Sequence, residues 1–345
     1  MDKTFLITGG LGFIGSNFVR YFLKTHPSYQ LINLDKLTYS ANPENLRGLS
    51  SEPRYRFVQG DILDDRVLLQ LCREYSIQAV VHFAAESHVD RSILGSKEFI
   101  QTNVLGTHTL LEVFEDYWHN TLAEDKEFRF LHISTDEVYG TLGLEGIFFE
   151  ETPFRPNSPY SASKAGADLL VRAYFETYGF PALTVRPSNN YGPYQFPEKF
   201  IPLMITNLLE DEPIPIYGRG ENIRDWLYVE DACQAIDLVL TKGKIGEAYN
   251  IGGESERPNI EVARQVLSSL KKGGEYLKFV TDRPGHDLRY ALSNDKIKKE
   301  MGWHPSMSFT EGLAQTIKWY QDNRWWWKPL KERLLQESKG FWSRS

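Results

Sequence analysis

Apolar positions in the first half of the chain follow two alternating rhythms. Short runs at 4–8, 31–34, 56–58, 79–83, 130–134 and 182–185 have the length of buried strands. Between them apolar residues recur at helical spacing: Ile14, Phe18, Tyr21 and Phe22, then Val67, Leu68, Leu71 and Cys72, then long stretches over 99–117 and 160–178. Strands separated by helices imply parallel pairing through right-handed crossovers. The pattern therefore predicts an α/β fold, a doubly wound parallel sheet covered on both faces.

The rhythm changes after residue 186. Pro187, Pro193, Pro197, Pro202, Pro213 and Pro215 punctuate a stretch that predicts a smaller lobe of short elements. A helix over 230–240 and a strand over 248–251 are expected to return to the main sheet, and further helices are expected over 261–270 and 309–323. Residues 1–186, with that return near 225–255, are thus assigned to a first domain, and 187–345 mainly to a C-terminal lobe and tail. From Trp325 onward the tail carries three consecutive tryptophans, which predict a packed or partner-facing segment rather than a membrane contact.

The 345 residues suffice for two domains, and 41% apolar with 25% charged residues fits a soluble globular chain. A net charge of −7 argues against nucleic acid and anionic membranes as partners. Cys72 and Cys233 lie far apart outside any CxxC pattern, and the eight histidines show no ligand spacing, so neither a disulfide framework nor a metal site is expected. The uncharged run over 4–19 could pass for a signal-peptide core. Its four glycines, its single flanking Lys3 and its lack of a cleavage pattern favour a cytoplasmic protein instead.

Those glycines open the chemistry. Gly9, Gly12 and Gly15 stand between a strand and a helix, where they permit a tight turn and close approach of backbone to a pyrophosphate. Asp35 follows at the end of the second strand, twenty residues past Gly15, where a carboxylate accepts from both ribose hydroxyls. That carboxylate favours NAD over its 2′-phosphorylated form, although Lys36 stands beside it. Asp61, with Ile62 next to it, either accepts from the adenine amino group or caps the following helix. Ala84, Ala85, Glu86, Ser87 and His88 follow the fourth strand at the carboxyl edge of the sheet, where ligands bind; His88 is either a donor to ligand or a loop histidine.

Tyr160 and Lys164 share a helix face. A phenol of pKa about 10 is a poor base near neutrality. The neighbouring ammonium, assisted by a positive nicotinamide, is expected to lower that value.

The spaced glycines at 9, 12 and 15 with Tyr160 and Lys164 resemble the extended short-chain dehydrogenase/reductase superfamily, whose fold is Rossmann-like. Within it, the run Ser134-Thr135-Asp136-Glu137-Val138-Tyr139-Gly140 resembles the dTDP-glucose 4,6-dehydratases; sugar 4-epimerases usually have small, non-acidic residues at the two acidic positions. The resemblance implies NAD as cofactor and dTDP-glucose as substrate, converted to dTDP-4-dehydro-6-deoxy-glucose on a deoxysugar route such as rhamnose synthesis. Oxidation at C4 acidifies the C5 hydrogen. By resemblance, Tyr160 takes the C4 hydroxyl proton, Thr135 holds that oxygen, Glu137 is the C5 base and Asp136 the acid that releases water from C6.

The resemblance also implies cofactor contacts from Phe13, Ile14, Lys36, Thr38, Ile62, Ala84, Ala85, Ser87, Thr102 and Asn190. It implies substrate contacts from Ser87, Asn189, Lys199, Phe200 and Pro215, and from Asn259, Asp282, Arg283 and His286 at the nucleotide end. Arg224 either clamps the diphosphate or forms a salt bridge with Asp225 or another neighbour, and Tyr217 either stacks on the base or fills core. Homodimers through a four-helix bundle, built here from 99–117 and 160–178, are typical of such proteins. Competing assignments are the same reaction on UDP-glucose, a 4-epimerase, and a non-catalytic NAD-binding sensor. A sensor requires neither Tyr160 and Lys164 nor the two acids.

Overall fold

The structure is a computed structural model that describes residues 3–341. Its first half runs β1 (Lys3–Thr8), α1 (Phe13–Thr25), β2 (Tyr29–Asp35), β3 (Tyr55–Gln59), α2 (Asp65–Glu74) and β4 (Ile77–His82). It continues through α3 (Val89–Leu94), α4 (Lys97–Phe99), a π-helical segment (Ile100–Gly106), α5 (Thr107–Asn120), β5 (Arg129–Ile133), α6 (Pro159–Tyr178) and β6 (Ala182–Pro187). The order across the sheet is Ala248–Ile251, β6, β5, β4, β1, β2, β3, with every pairing parallel. The sequence direction reverses between β1 and β4, which leaves a crevice at the carboxyl ends of those strands.

Alternate residues of the strands bury on opposite faces, as a doubly covered sheet requires. Phe5 and Ile7 join Phe18, Phe22, Val81 and Leu131 on one face, whereas Leu6 joins Val80, Leu110, Phe114 and Phe130 on the other. α6 starts at a reciprocal cap, in which the Ser161 N–H donates to Ser158 Oγ at 3.0 Å and the Ser158 N–H to Ser161 Oγ at 3.0 Å.

The stretch over 99–117 differs from the single α-helix predicted. Its π-helical turn coincides with buried Asn103, whose amide accepts from the Glu86 N–H at 2.9 Å and donates to Glu86 O at 3.0 Å and Ser163 Oγ at 2.8 Å. The Thr107 hydroxyl occupies the Asn103 carbonyl at 2.6 Å, the acceptor an α-helix would give to the Thr107 N–H.

The second half contains β7 (Asn189–Tyr191), α7 (Phe200–Leu208), β8 (Ile214–Tyr217), β9 (Ile223–Tyr228), α8 (Val229–Lys242) and β10 (Ala248–Ile251). β11 (Glu256–Pro258), α9 (Asn259–Ser269), β12 (Leu277–Val280), α10 (Asp295–Met301), α11 (Phe309–Asp322) and α12 (Arg324–Phe341) complete it. β10 extends the main sheet beside β6, and α8 buries Ala232, Ile236 and Val239 in the core that α1 also enters. β7, β9 and β11 form one small sheet, β8 and β12 another. A separate core beneath them gathers Met204, Ile205, Trp226, Val266, Leu313, Trp326 and Trp327. The tail is therefore packed as far as its side chains are described, with Trp326 and Trp327 buried and Trp325 half exposed; residues 342–345 lie outside the described residues.

Candidate active site

A cleft opens at the carboxyl edge of β1 and β4. Gly9 has φ +72°, and a Cβ there would lie 2.5 Å from Ala84 N; at Gly15 a Cβ would meet Gly9 O at 2.4 Å. α1 begins after Gly12 with no side-chain cap and no acid in its first turn, so its positive end is uncompensated. Gly9, Gly12, Phe13, Ile14 and Gly15 line one wall of the cleft, and Thr38, Ile62, Ala84, Ala85, Ser87 and Thr102 line the others.

Asp35 is held by the turn itself. Its Oδ2 accepts from the Leu11 N–H at 2.9 Å and its Oδ1 from the Leu37 N–H at 2.9 Å. Burial raises its carboxyl pKa, and these two amides oppose the rise. Lys36 Nζ pairs with Asp61 Oδ2 at 2.6 Å, and Asp61 Oδ1 accepts from the Leu63 N–H at 3.1 Å. The cap of α2 is Asp64, so Asp61 is free of that duty and faces the cleft. His88 instead caps α3, and burial pushes its pKa down to about 2, so it serves as a neutral loop residue outside the lining.

Thr135, Asp136, Glu137, Tyr160 and Lys164 converge on the floor of the same cleft, with Asn189, Asn190 and Lys199. Thr135 caps the short 3-10 turn Asp136–Tyr139, which presents both acids together. Asp136 Oδ2 is buried without a hydrogen-bond partner. Burial, then the charge of Glu137, then Asp225 push its carboxyl well above the ordinary range. Burial also raises Glu137, but the guanidinium groups of Arg283 and Arg224 pull it back. The two acids are thus electrostatically unequal.

The fold adds a cost that the phenol expectation leaves out. Burial and then the Glu137 charge raise the Tyr160 pKa, with the Thr135 hydroxyl opposing. Burial lowers Lys164 to about 8, and its Nζ donates to Ile133 O at 2.7 Å. The cation that the expectation relied on is weakened by the same desolvation that raises the phenol. Behind Lys164 lies Asp168. Burial would raise its carboxyl, but Arg186, whose Nε donates to Oδ2 at 2.7 Å, and His132 bring it down to about 2.

The remaining predicted substrate residues lie beyond the cleft lining. Arg224 is buried, spans 4.3 Å to the Tyr290 ring and donates to Ile223 O at 2.7 Å and Asp287 O at 3.0 Å. Its neighbour Asp225 is occupied by the N–H groups of Gly253 and Ser255 at 2.7 Å each, so no salt bridge joins them. Arg283 and Tyr217 share Asp90, at 3.2 and 3.1 Å, and the Tyr217 ring lies 6.0 Å from that of His286, which bonds Asp282 at 2.6 Å. Asn259 Oδ1 is buried without a partner. Phe200 stacks on Trp226 at 6.1 Å, and Pro215 sits in β8 opposite Lys278.

Gln195, Phe196, Ser40, Ala41, Ser134 and Ser188 line the cleft without having been predicted. Gln195 Oε1, like the Oδ1 atoms of Asn189 and Asn190, is buried and unpartnered. An NAD molecule fits this donor set: glycines that tolerate no Cβ, an uncapped helix start, a carboxylate at the far strand and unpaired amide oxygens near the floor. Among the described residues no group of His, Cys, Asp and Glu could hold a metal ion.

Residues 6–316 match the model of the GDP-mannose 4,6 dehydratase family. The chain is 52% identical over 334 residues to a dTDP-glucose 4,6-dehydratase of Xanthomonas campestris pv. campestris, covering 94% of each. Among solved structures it resembles the dTDP-glucose 4,6-dehydratase of Streptomyces venezuelae with NAD and TYD bound, at 49% identity and TM-score 0.89, covering 95% of this chain and 99% of that one. The dTDP-glucose 4,6-dehydratase of Bacillus anthracis in complex with NAD gives 48% identity and TM-score 0.88 over 95% and 99%.

Proposed function

Since this chain belongs to the dTDP-glucose 4,6-dehydratase family, we propose a division of labour among the residues on the cleft floor. The protein is an NAD-dependent hydro-lyase that removes water across C5 and C6 of dTDP-glucose. NAD supplies hydride acceptance at C4 and hydride return at C6. Gly9, Gly12, Gly15 and the start of α1 would hold its pyrophosphate, Asp35 its ribose, and Lys164 and Asn190 its reactive end, since all of them line the one cleft.

Tyr160 removes the C4 hydroxyl proton as phenolate, a form that Lys164 and the positive charge of a bound nicotinamide would favour against the cost of burial, while Thr135 holds the C4 oxygen. The resulting ketone turns the C5 carbanion into an enolate, which brings the C5 proton within reach of a carboxylate. Glu137, whose charge Arg283 and Arg224 favour, takes that proton. Asp136, kept protonated by burial, gives its own to the departing C6 hydroxyl. The unequal environments of these adjacent acids carry the assignment, because one step needs a base and the other an acid at the same pH. Arg224, a buried cation bonded only to backbone carbonyls among the described residues, suits the diphosphate.

We further place the reaction on a deoxysugar route such as dTDP-rhamnose synthesis, in a reducing cytoplasm that matches the two free cysteines. No helix among the described residues is long and apolar enough to cross a membrane. A homodimer is supported by the exposed Ile100, Leu105, Leu169 and Tyr178 on the segments expected to form a bundle.

Mass spectrometry of dTDP-glucose after incubation with the enzyme in D2O tests the scheme. The expected product has lost one water and gained one solvent deuterium at C5. Glu137→Gln should cut that product by about a hundredfold or more. Normal deuterium uptake in this variant would remove Glu137 from the role of base.

A further inference from the structure

The loop that follows Asp35 forms part of the cleft wall, through Thr38, Ser40 and Ala41. It then enters a single turn, Pro43–Leu46, that carries Asn45. Asn45 is buried and tied to the glycine turn, since its Nδ2 donates to Leu11 O at 2.9 Å, the carbonyl that also accepts from the Asn42 N–H at 3.1 Å. The Leu11 N–H in turn bonds Asp35. Loop and glycine turn therefore share a hinge at Leu11.

The remaining oxygen of that amide is claimed from far away in the chain. Trp326 Nε1 donates to Asn45 Oδ1 at 2.9 Å in a buried contact. About two turns further along α12, Arg333 donates to Tyr39 O, in the same loop. The Trp326 ring also stands edge-on to Tyr194 at 5.9 Å, next to Gln195 and Phe196 of the opposite cleft wall. α12 itself is anchored to the lobe, where Lys331 Nζ bonds Glu210 at 2.9 Å and Glu212 at 2.8 Å.

We propose that Trp326 and Arg333 of α12 are positioning residues for the dinucleotide: they fasten the loop over 38–46 against the glycine turn and so slow the release of NAD. The inference rests on the reading that the cleft holds NAD. Neither side chain lines the cleft, and their effect passes through Asn45 and Tyr39.

Trp327 provides a matched control. It is equally buried in the same helix, but its Nε1 donates to Tyr320 O at 2.7 Å, within the lobe. Trp326→Phe and Trp327→Phe each remove one indole N–H while keeping an aromatic ring. The measurement is the exchange of bound radiolabelled NAD for excess unlabelled NAD in the purified holoenzyme. Trp326→Phe should release NAD about five- to tenfold faster than the parent, a change of the size one buried hydrogen bond carries. Arg333→Ala, an exposed position that leaves the core intact, should also accelerate release, and Trp327→Phe should match the parent. Release from Trp326→Phe and Arg333→Ala no faster than from Trp327→Phe overturns the proposal. Should Trp326→Phe fail to fold, parental release from Arg333→Ala does so alone. A parent protein that contains no NAD as purified and takes up no label would refute the NAD reading itself, which keeps the two failures apart.

Discussion

Asp136 holds a carboxyl group where a carboxylate is costly, almost fully buried with one oxygen unpartnered. A carboxyl that binds its proton more tightly in the folded protein supports the fold below its unfolded pKa of about 4. That support is withdrawn as pH rises through the raised folded value. Asp136→Asn cannot ionise, so its melting temperature should exceed that of the parent, by a margin that widens as pH rises from the unfolded value toward the raised folded one. Dehydration should fall by about a hundredfold in the same variant. A constant margin across that range would mean that Asp136 ionises as easily in the fold as outside it, which would remove the basis for its role as acid.

Among the elements, the π-helical segment joins packing to the site. Asn103 links it to Glu86 before α3 and to Ser163 of α6, one residue from Lys164. Asn103→Ala leaves the part-buried Glu86 N–H and carbonyl without their side-chain partner and Ser163 Oγ without a donor, and should cost about 2 kcal/mol, seen as a lower urea midpoint with an unchanged slope. A loss below about 0.5 kcal/mol would make the segment an incidental irregularity. This turn was invisible in the sequence, because apolar periodicity over 99–117 registers a helix but not one widened turn. The strands of the sheet were legible, since runs such as 79–83 carry apolar residues on both faces, with His82 the one polar position. So were the glycine turn and the Tyr160–Lys164 pair, whose spacing carries their geometry. α7 escaped notice because seven of its nine residues are buried, leaving no polar stripe to betray a helix. Gln195 escaped because its orientation depends on the fold around it, where its own Nε2 is spent on Asn190 O.

For the whole molecule, the open question of assembly turns on α6 and the segment before α5. Leu105 and Leu169 are about half exposed, at 50% and 57%, on elements that also bear Ile100 and Tyr178. Apolar side chains clustered this way are suited to a second copy of the chain. Leu105→Glu combined with Leu169→Glu should convert a dimer to monomers in sedimentation velocity, since charges buried in such an interface lack partners. Dimers that persist would place the interface elsewhere.

The bond from Trp326 to Asn45 spans 281 positions of the chain. During synthesis the glycine turn and Asp35 leave the ribosome early, whereas the residues that fasten Asn45 are among the later ones made. Contacts so distant in sequence form late. The nucleotide fingerprint is thus translated first and secured last. A premature stop codon before residue 324 would leave a translation product that carries the whole fingerprint and none of its fastening.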